Sequence, residues 1–163
     1  MQATDEQQVI PEPVQMKSYL PRAILIGLLV SILWGILFGM LSILTIIFGI
    51  IGGFAVGIVI AAAVAAPYPH LTRKQYTNLF PIIFLFTVIS TLLIILLPFI
   101  VLIFQKDPEA SFGTAVSLAW TFYLLSLTST GSSLIITVLG FFSGIWGFFG
   151  RRRGLKVQGK LID

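Results

Sequence analysis

The chain has 163 residues, 57 % hydrophobic and 10 % charged, with a formal charge of +4 and a mean hydropathy of +1.03. A soluble domain of this size carries about 25 % charged residues to solvate its surface, so this composition excludes a water-soluble globule, a disordered protein and an autonomous nucleic-acid-binding domain. With no cysteine in the chain, disulfides, thiol catalysis, thiolate metal sites and palmitoylation are excluded as well.

Residues 1–21 carry Asp5, Glu6 and Glu12 among glutamines and prolines. A secretory signal opens on a basic region instead, so the expectation is a flexible cytoplasmic tail followed by an uncleaved membrane anchor. From Ala23 to Ala66 no residue is ionisable. As one helix this stretch would be about 66 Å long, against a hydrocarbon core of about 30 Å, so it must cross twice. Small residues recur every four positions on both halves: Ala23, Gly27, Ser31, Gly35 and Gly39, then Thr45, Gly49, Gly53, Gly57, Ala61 and Ala65. The register changes between Met40 and Leu44, which predicts a turn there and spans at about 22–40 and 44–66. Small residues four apart share a helix face and let two backbones approach closely in lipid. The simplest expectation is a glycine-lined helical hairpin whose two spans pack on each other. An oligomer interface or a pore lined by small residues is the functional alternative.

The loop 67–78 holds His70, the only histidine, and the basic pair Arg73 and Lys74. A haem, chlorophyll or pH-sensing role for His70 is conceivable, but a lone loop histidine reads first as a solvated side chain. Asn78 is the only asparagine and lacks a Ser or Thr two positions on, which excludes N-glycosylation. Its side chain suits a helix cap, and Pro81 then falls in the first turn, where the missing N–H costs nothing. The third span covers about 79–104, with a kink expected at Pro98. Asp107-Pro108-Glu109 has the makings of the next helix start: a capping carboxylate, proline in the first turn and negative charge at the positive end of the dipole.

The last apolar stretch runs to Gly150 around an uncharged polar centre, residues 128–133. One reading is a single tilted span within 113–150, continued as a helix outside the bilayer, with Trp120 and Tyr123 near one interface and Trp146 near the other. The alternative breaks the segment at 128–133 and gives five spans. There, freed backbone groups could hold an ion or substrate, although hydroxyls bonding back to their own helix or gluing spans together is the plainer account. Ser133, Thr137, Gly140, Gly144 and Gly147 add a third small seam. Arg151, Arg152 and Arg153 open a basic tail, 151–163, and with Arg73 and Lys74 read as lipid-headgroup anchors.

Counting basic residues separates the two topologies. With four spans, nine of the ten Lys and Arg share one side against Lys106 alone, whereas five spans leave four against six. The positive-inside rule favours four spans with both termini cytoplasmic. The expected fold is therefore an all-α integral membrane protein, a four-span helical bundle. No Asp, Glu, Lys, Arg or His lies in the apolar stretches, so proton relays, ion-coupled carriage and intramembrane hydrolysis lack their usual groups. The expectation is a protein that is not an enzyme, with no cofactor, no metal and no nucleic-acid partner. It would serve as a structural or accessory subunit in contact with lipids and other membrane subunits. A small homo-oligomeric transporter or channel is the alternative.

Overall fold

The computed structural model describes residues 16–129 and 131–162, and the side chains of all of these except 16, 17, 129, 132 and 162. Residues 1–15, most of the expected tail, lie outside that range. The fold is an all-α bundle with four helices long and apolar enough to cross a membrane: α1 (Met16–Leu44), α2 (Ile46–Ala65), α4 (Phe80–Lys106) and α6 (Ser132–Val157). Two shorter helices, α3 (Arg73–Asn78) and α5 (Phe112–Ser129), precede α4 and α6.

Several boundaries differ from expectation, each for a local reason. Helix α1 begins at Met16, inside the expected tail, and runs through 40–44 without turning. That segment holds no Gly or Pro to break it, and the Ser42 hydroxyl donates back to the Gly39 carbonyl at 2.7 Å. The chain reverses at Thr45, whose extended backbone and side-chain oxygen cap α2. The change of small-residue register thus marked a change of packing partner rather than the turn itself.

Asn78 ends α3 instead of capping α4. The side-chain cap is supplied by Thr72, which accepts from the Gln75 N–H at 3.2 Å, while Gln75 accepts from the Thr72 N–H at 2.9 Å. This reciprocal box satisfies two otherwise orphaned donors. Thr72→Ala is expected to cost about 0.5–2 kcal/mol locally, seen as faster amide exchange over 73–78 with the spans unchanged. Pro81 does sit in the first turn of α4, and the helix continues through Pro98 to Lys106.

Asp107 terminates α4, and the next helix starts later, at Phe112. Its cap is Ser111, whose hydroxyl accepts from the Thr114 N–H at 3.2 Å. The expected continuous helix over 113–150 is not formed. It divides into α5, which ends at Ser129, and α6, which begins at Ser132; Gly131 before α6 has φ 68°, a left-handed conformation that favours glycine. The polar centre therefore breaks the helix, as the five-span alternative supposed, without adding a fifth crossing.

The reason is which ends meet. The Tyr19 ring near the start of α1 lies tilted against that of Tyr68 after α2, their centroids 5.8 Å apart. Leu71–Thr72 (β1) pairs in parallel with Leu161–Ile162 (β2), beyond the end of α6. The start of α1, the end of α2, the start of α4 and the end of α6 therefore share one end of the bundle. Helix α4 leaves that end and α6 returns to it, so α5 begins and finishes in the far half, lying mainly against α4.

The C-terminus of α6 is closed by a Schellman motif. The Lys160 N–H reaches the Leu155 carbonyl and the Gly159 N–H reaches that of Lys156, with Gly159 at φ 66°; this satisfies the last carbonyls of the helix. The Leu71 N–H then bonds the Lys160 carbonyl at 2.8 Å, tying the tail to the loop after α2.

Candidate functional site: helix seams and the basic end

The five small residues of the first stripe, Ala23, Gly27, Ser31, Gly35 and Gly39, are the only buried positions described in α1. They do not chiefly face α2. Gly35 and Gly39 lie against Leu93 and Leu97 of α4, and Gly27 against Phe86 of α4 and Val64 of α2. The second stripe turns to α6: Gly49 and Gly53 meet Ile136, and Gly57 meets the Ser143 backbone and Gly147. The third seam is shared, with Gly140 against Thr91 and Gly144 against Thr87 of α4, and Gly147 against Gly57 of α2. Ala61 belongs to the buried cluster at the basic end with Val64, Tyr76 and Phe148.

These pairings run in register. Along α1 and α4 the contacts rise together in number, as they do along α2 and α6, so the first two stripes each join parallel helices that are not neighbours in sequence, while the contacts of Gly140 and Gly144 with Thr91 and Thr87 join α6 to an antiparallel α4. The expectation that the first two spans consume each other's stripes is thus corrected. Consecutive α1 and α2 meet through a different surface, Trp34 and Phe38 over Gly52, with the Trp34 indole N–H donating to the Gly52 carbonyl at 3.1 Å.

Polar side chains inside the bundle divide between cross-links and bonds within their own helix, while the buried Ser31 and Ser90 hydroxyls have no hydrogen-bond partner. The Ser143 hydroxyl accepts from the Gly57 N–H at 3.1 Å and donates to the Gly140 carbonyl at 2.9 Å. Thr87 and Thr91 donate back to the carbonyls four residues earlier. At the α5–α6 corner, Ser126 bonds Ser133 at 2.6 Å and the Tyr123 hydroxyl lies 3.2 Å from that of Thr137. Thr128 donates to the Leu125 carbonyl, and the position of Thr130 lies outside the described residues. Beside this corner a partly open pocket of about 210 Å³ lies between α4, α5 and α6, with Trp120, Tyr123 and Phe141 among its walls. Trp120 therefore serves a helix junction, while Trp146 is exposed on the outer face of α6.

The basic end is built on aromatic packing. Tyr76 is fully buried, its ring stacked 4.7 Å from that of Phe148 and its hydroxyl donating to the Phe148 carbonyl at 2.8 Å. Around it stand exposed Arg73, Lys74 and Arg153 and half-buried Arg151 and Arg152. Lys106, Asp107 and Glu109 lie at the opposite end, after α4. Burial pushes the Tyr68 phenol above its ordinary value, and its hydroxyl, like His70 Nδ1 and Arg151 Nε, is buried without a hydrogen-bond partner. Among the described residues no three His, Cys, Asp or Glu side chains gather as a metal site.

Sequence reasoning missed Trp34, Tyr76 and Ser143. A signal existed for the first, because an indole N–H in an apolar span needs an acceptor. Compared with protein-family models, with curated proteins and with solved structures, the chain matches none of them.

Proposed function

We propose that the protein is a non-catalytic structural or accessory subunit of a larger membrane complex, acting through helix packing in the bilayer, with its basic end cytoplasmic. The observation that carries this reading is the outward row of α1. Leu25, Leu29, Leu33 and Leu37 are 59, 51, 66 and 52 % exposed and recur every four residues, opposite the buried small stripe. Such a ridge is the surface a partner helix grips by ridge-into-groove packing. The glycine stripes support the same reading indirectly, because they are already filled by side chains of the same chain and leave no small-residue path through a monomer. The gathering of basic residues at one end supports the cytoplasmic assignment by the positive-inside rule.

The test is native mass spectrometry of the tagged protein released from lipid nanodiscs. Stoichiometric unlike chains are expected, lost when Leu29 and Leu33 are both changed to Ala. Release of a lone, monodisperse chain contradicts the reading.

A second reading, a small homo-oligomeric transporter or channel, draws on the hydroxyl-lined corner at Tyr123, Ser126, Ser133 and Thr137 beside the 210 Å³ pocket. It requires solute flux in proteoliposomes that Thr137→Val abolishes without loss of assembly.

A further inference from the structure

The outer face of α6 forms one wall of a groove of about 400 Å³ whose other wall is Phe54 of α2. Its floor and sides run from Leu139 through Phe142, Trp146 and Phe149 to Arg153, about 21 Å along the helix at 1.5 Å per residue. The volume lies within the roughly 300–1,000 Å³ of small-molecule sites. Three features distinguish the groove from ordinary lipid-facing surface. Its aromatic side chains stand out rather than pack inward, Trp146 being 71 % exposed. It ends on a guanidinium at the basic end of the bundle, while the only described carboxylates, Asp107 and Glu109, lie at the other end, so no described acid competes for that charge. One turn before Arg153 the lining includes Gly150, where an added Cβ would meet nothing within 4 Å, leaving open room beside the cation.

We propose that this groove is a binding site for one anionic phospholipid. An acyl chain lies along Phe142, Trp146 and Phe149 against Phe54, the glycerol region occupies the space at Gly150, and the phosphate pairs with Arg153. Charge complementarity selects this occupant over a protein helix. A transmembrane partner is about 10–12 Å across with its side chains and offers no anion at the depth of Arg153, whereas a phospholipid joins an apolar chain to a phosphate at that depth. The inference goes beyond the subunit reading and does not depend on it.

The test is native mass spectrometry of the full chain in micelles supplied with phosphatidylglycerol or phosphatidylcholine, counting the lipid retained per chain. One phosphatidylglycerol is expected to persist where phosphatidylcholine is lost. Arg153→Gln should cut its retention about fivefold, as one basic contact near the membrane surface implies. Gly150→Leu should do the same by filling the groove, without lowering the melting temperature, because an added Cβ there meets nothing within 4 Å. Arg22→Gln, exposed on α1 at the same end and outside the groove, should leave retention intact. Equal retention of the two lipids, or equal losses in Arg153→Gln and Arg22→Gln, would overturn the proposal. So would a protein chain whose removal uncovers the groove and leaves phosphatidylglycerol no better held. Lipid and protein adducts differ in mass, so the failure of this site and of the subunit reading are seen separately.

Discussion

Gly57→Ala is expected to be among the most damaging single-methyl changes in the chain. A Cβ built there strikes the Ser143 carbonyl and the Gly144 nitrogen. Both are backbone atoms of α6, so no side-chain rotation can relieve the clash, and the two helices must separate. Separation also breaks the buried bond from the Gly57 N–H to Ser143 Oγ. Overpacking a tight interior costs about 1–3 kcal/mol, and a lost hydrogen bond about 0.5–1.5 kcal/mol, so a loss of about 1.5–4.5 kcal/mol is expected before any gain in helix propensity. Alanine is otherwise better than glycine in a helix by about 1 kcal/mol, which makes Gly150→Ala the control: with nothing within 4 Å it should be neutral or mildly stabilising. Thermal unfolding in detergent, followed by size-exclusion chromatography, separates the two. Equal melting temperatures for both variants would mean that α2 and α6 do not approach as described.

The second large effect is expected at Tyr76, which lies on a six-residue helix outside the main spans. Its ring is fully buried between α3 and α6, and Phe80 meets Phe148 edge-on beside it at 4.9 Å. Truncating a buried aromatic to alanine costs about 3–5 kcal/mol, whereas Tyr76→Phe removes only the hydroxyl bond to Phe148 and should cost about 1 kcal/mol. Trypsin gives a local readout, since Arg73 and Lys74 are exposed and flank this ring. Cleavage there should accelerate strongly in Tyr76→Ala and slightly in Tyr76→Phe. A Phe variant as labile as the Ala variant would assign the stability to the hydroxyl rather than to the ring.

Much of the bundle was legible because membrane physics is demanding. Apolar lengths against a fixed hydrocarbon thickness narrowed the crossings to four or five, the count of basic residues favoured four, and a four-residue period identified the buried face of α1 down to each of its five residues. The period names a face but not the helix that meets it. Gly35 carries no information that distinguishes Leu93 of α4 from a residue of α2, and proximity in sequence pointed to the wrong one. The turn at Thr45 was hidden for a related reason: it uses neither Gly nor Pro, only a hydroxyl cap that resembles any other threonine in a span. Ser111 was masked by a stronger-looking candidate, Asp107, which closes the preceding helix instead. Glycine at 131 and 159 was readable in principle, since each sits at a helix boundary with φ > 0. The two-residue pairing of Leu71–Thr72 with Leu161–Ile162 is too short to leave any periodic trace. Of the candidate site, the basic residues were evident from their positions beside apolar spans, while the groove that ends on Arg153 depends on the spatial meeting of Phe54 with α6.

A chain that crosses four times, with α5 confined to the far half, brings both loop 67–78 and the C-terminal tail to the basic end. Because there is no native cysteine, single-cysteine variants at Lys74, Glu109 and Gly159 each carry one thiol, and a membrane-impermeant maleimide applied to sealed vesicles reads its side. Lys74→Cys and Gly159→Cys should label together from one face and Glu109→Cys only from the other. Labelling of Gly159→Cys with Glu109→Cys, on the face opposite Lys74→Cys, would make α5 a crossing helix and contradict both the fold and the pairing of the two chain segments at the basic end.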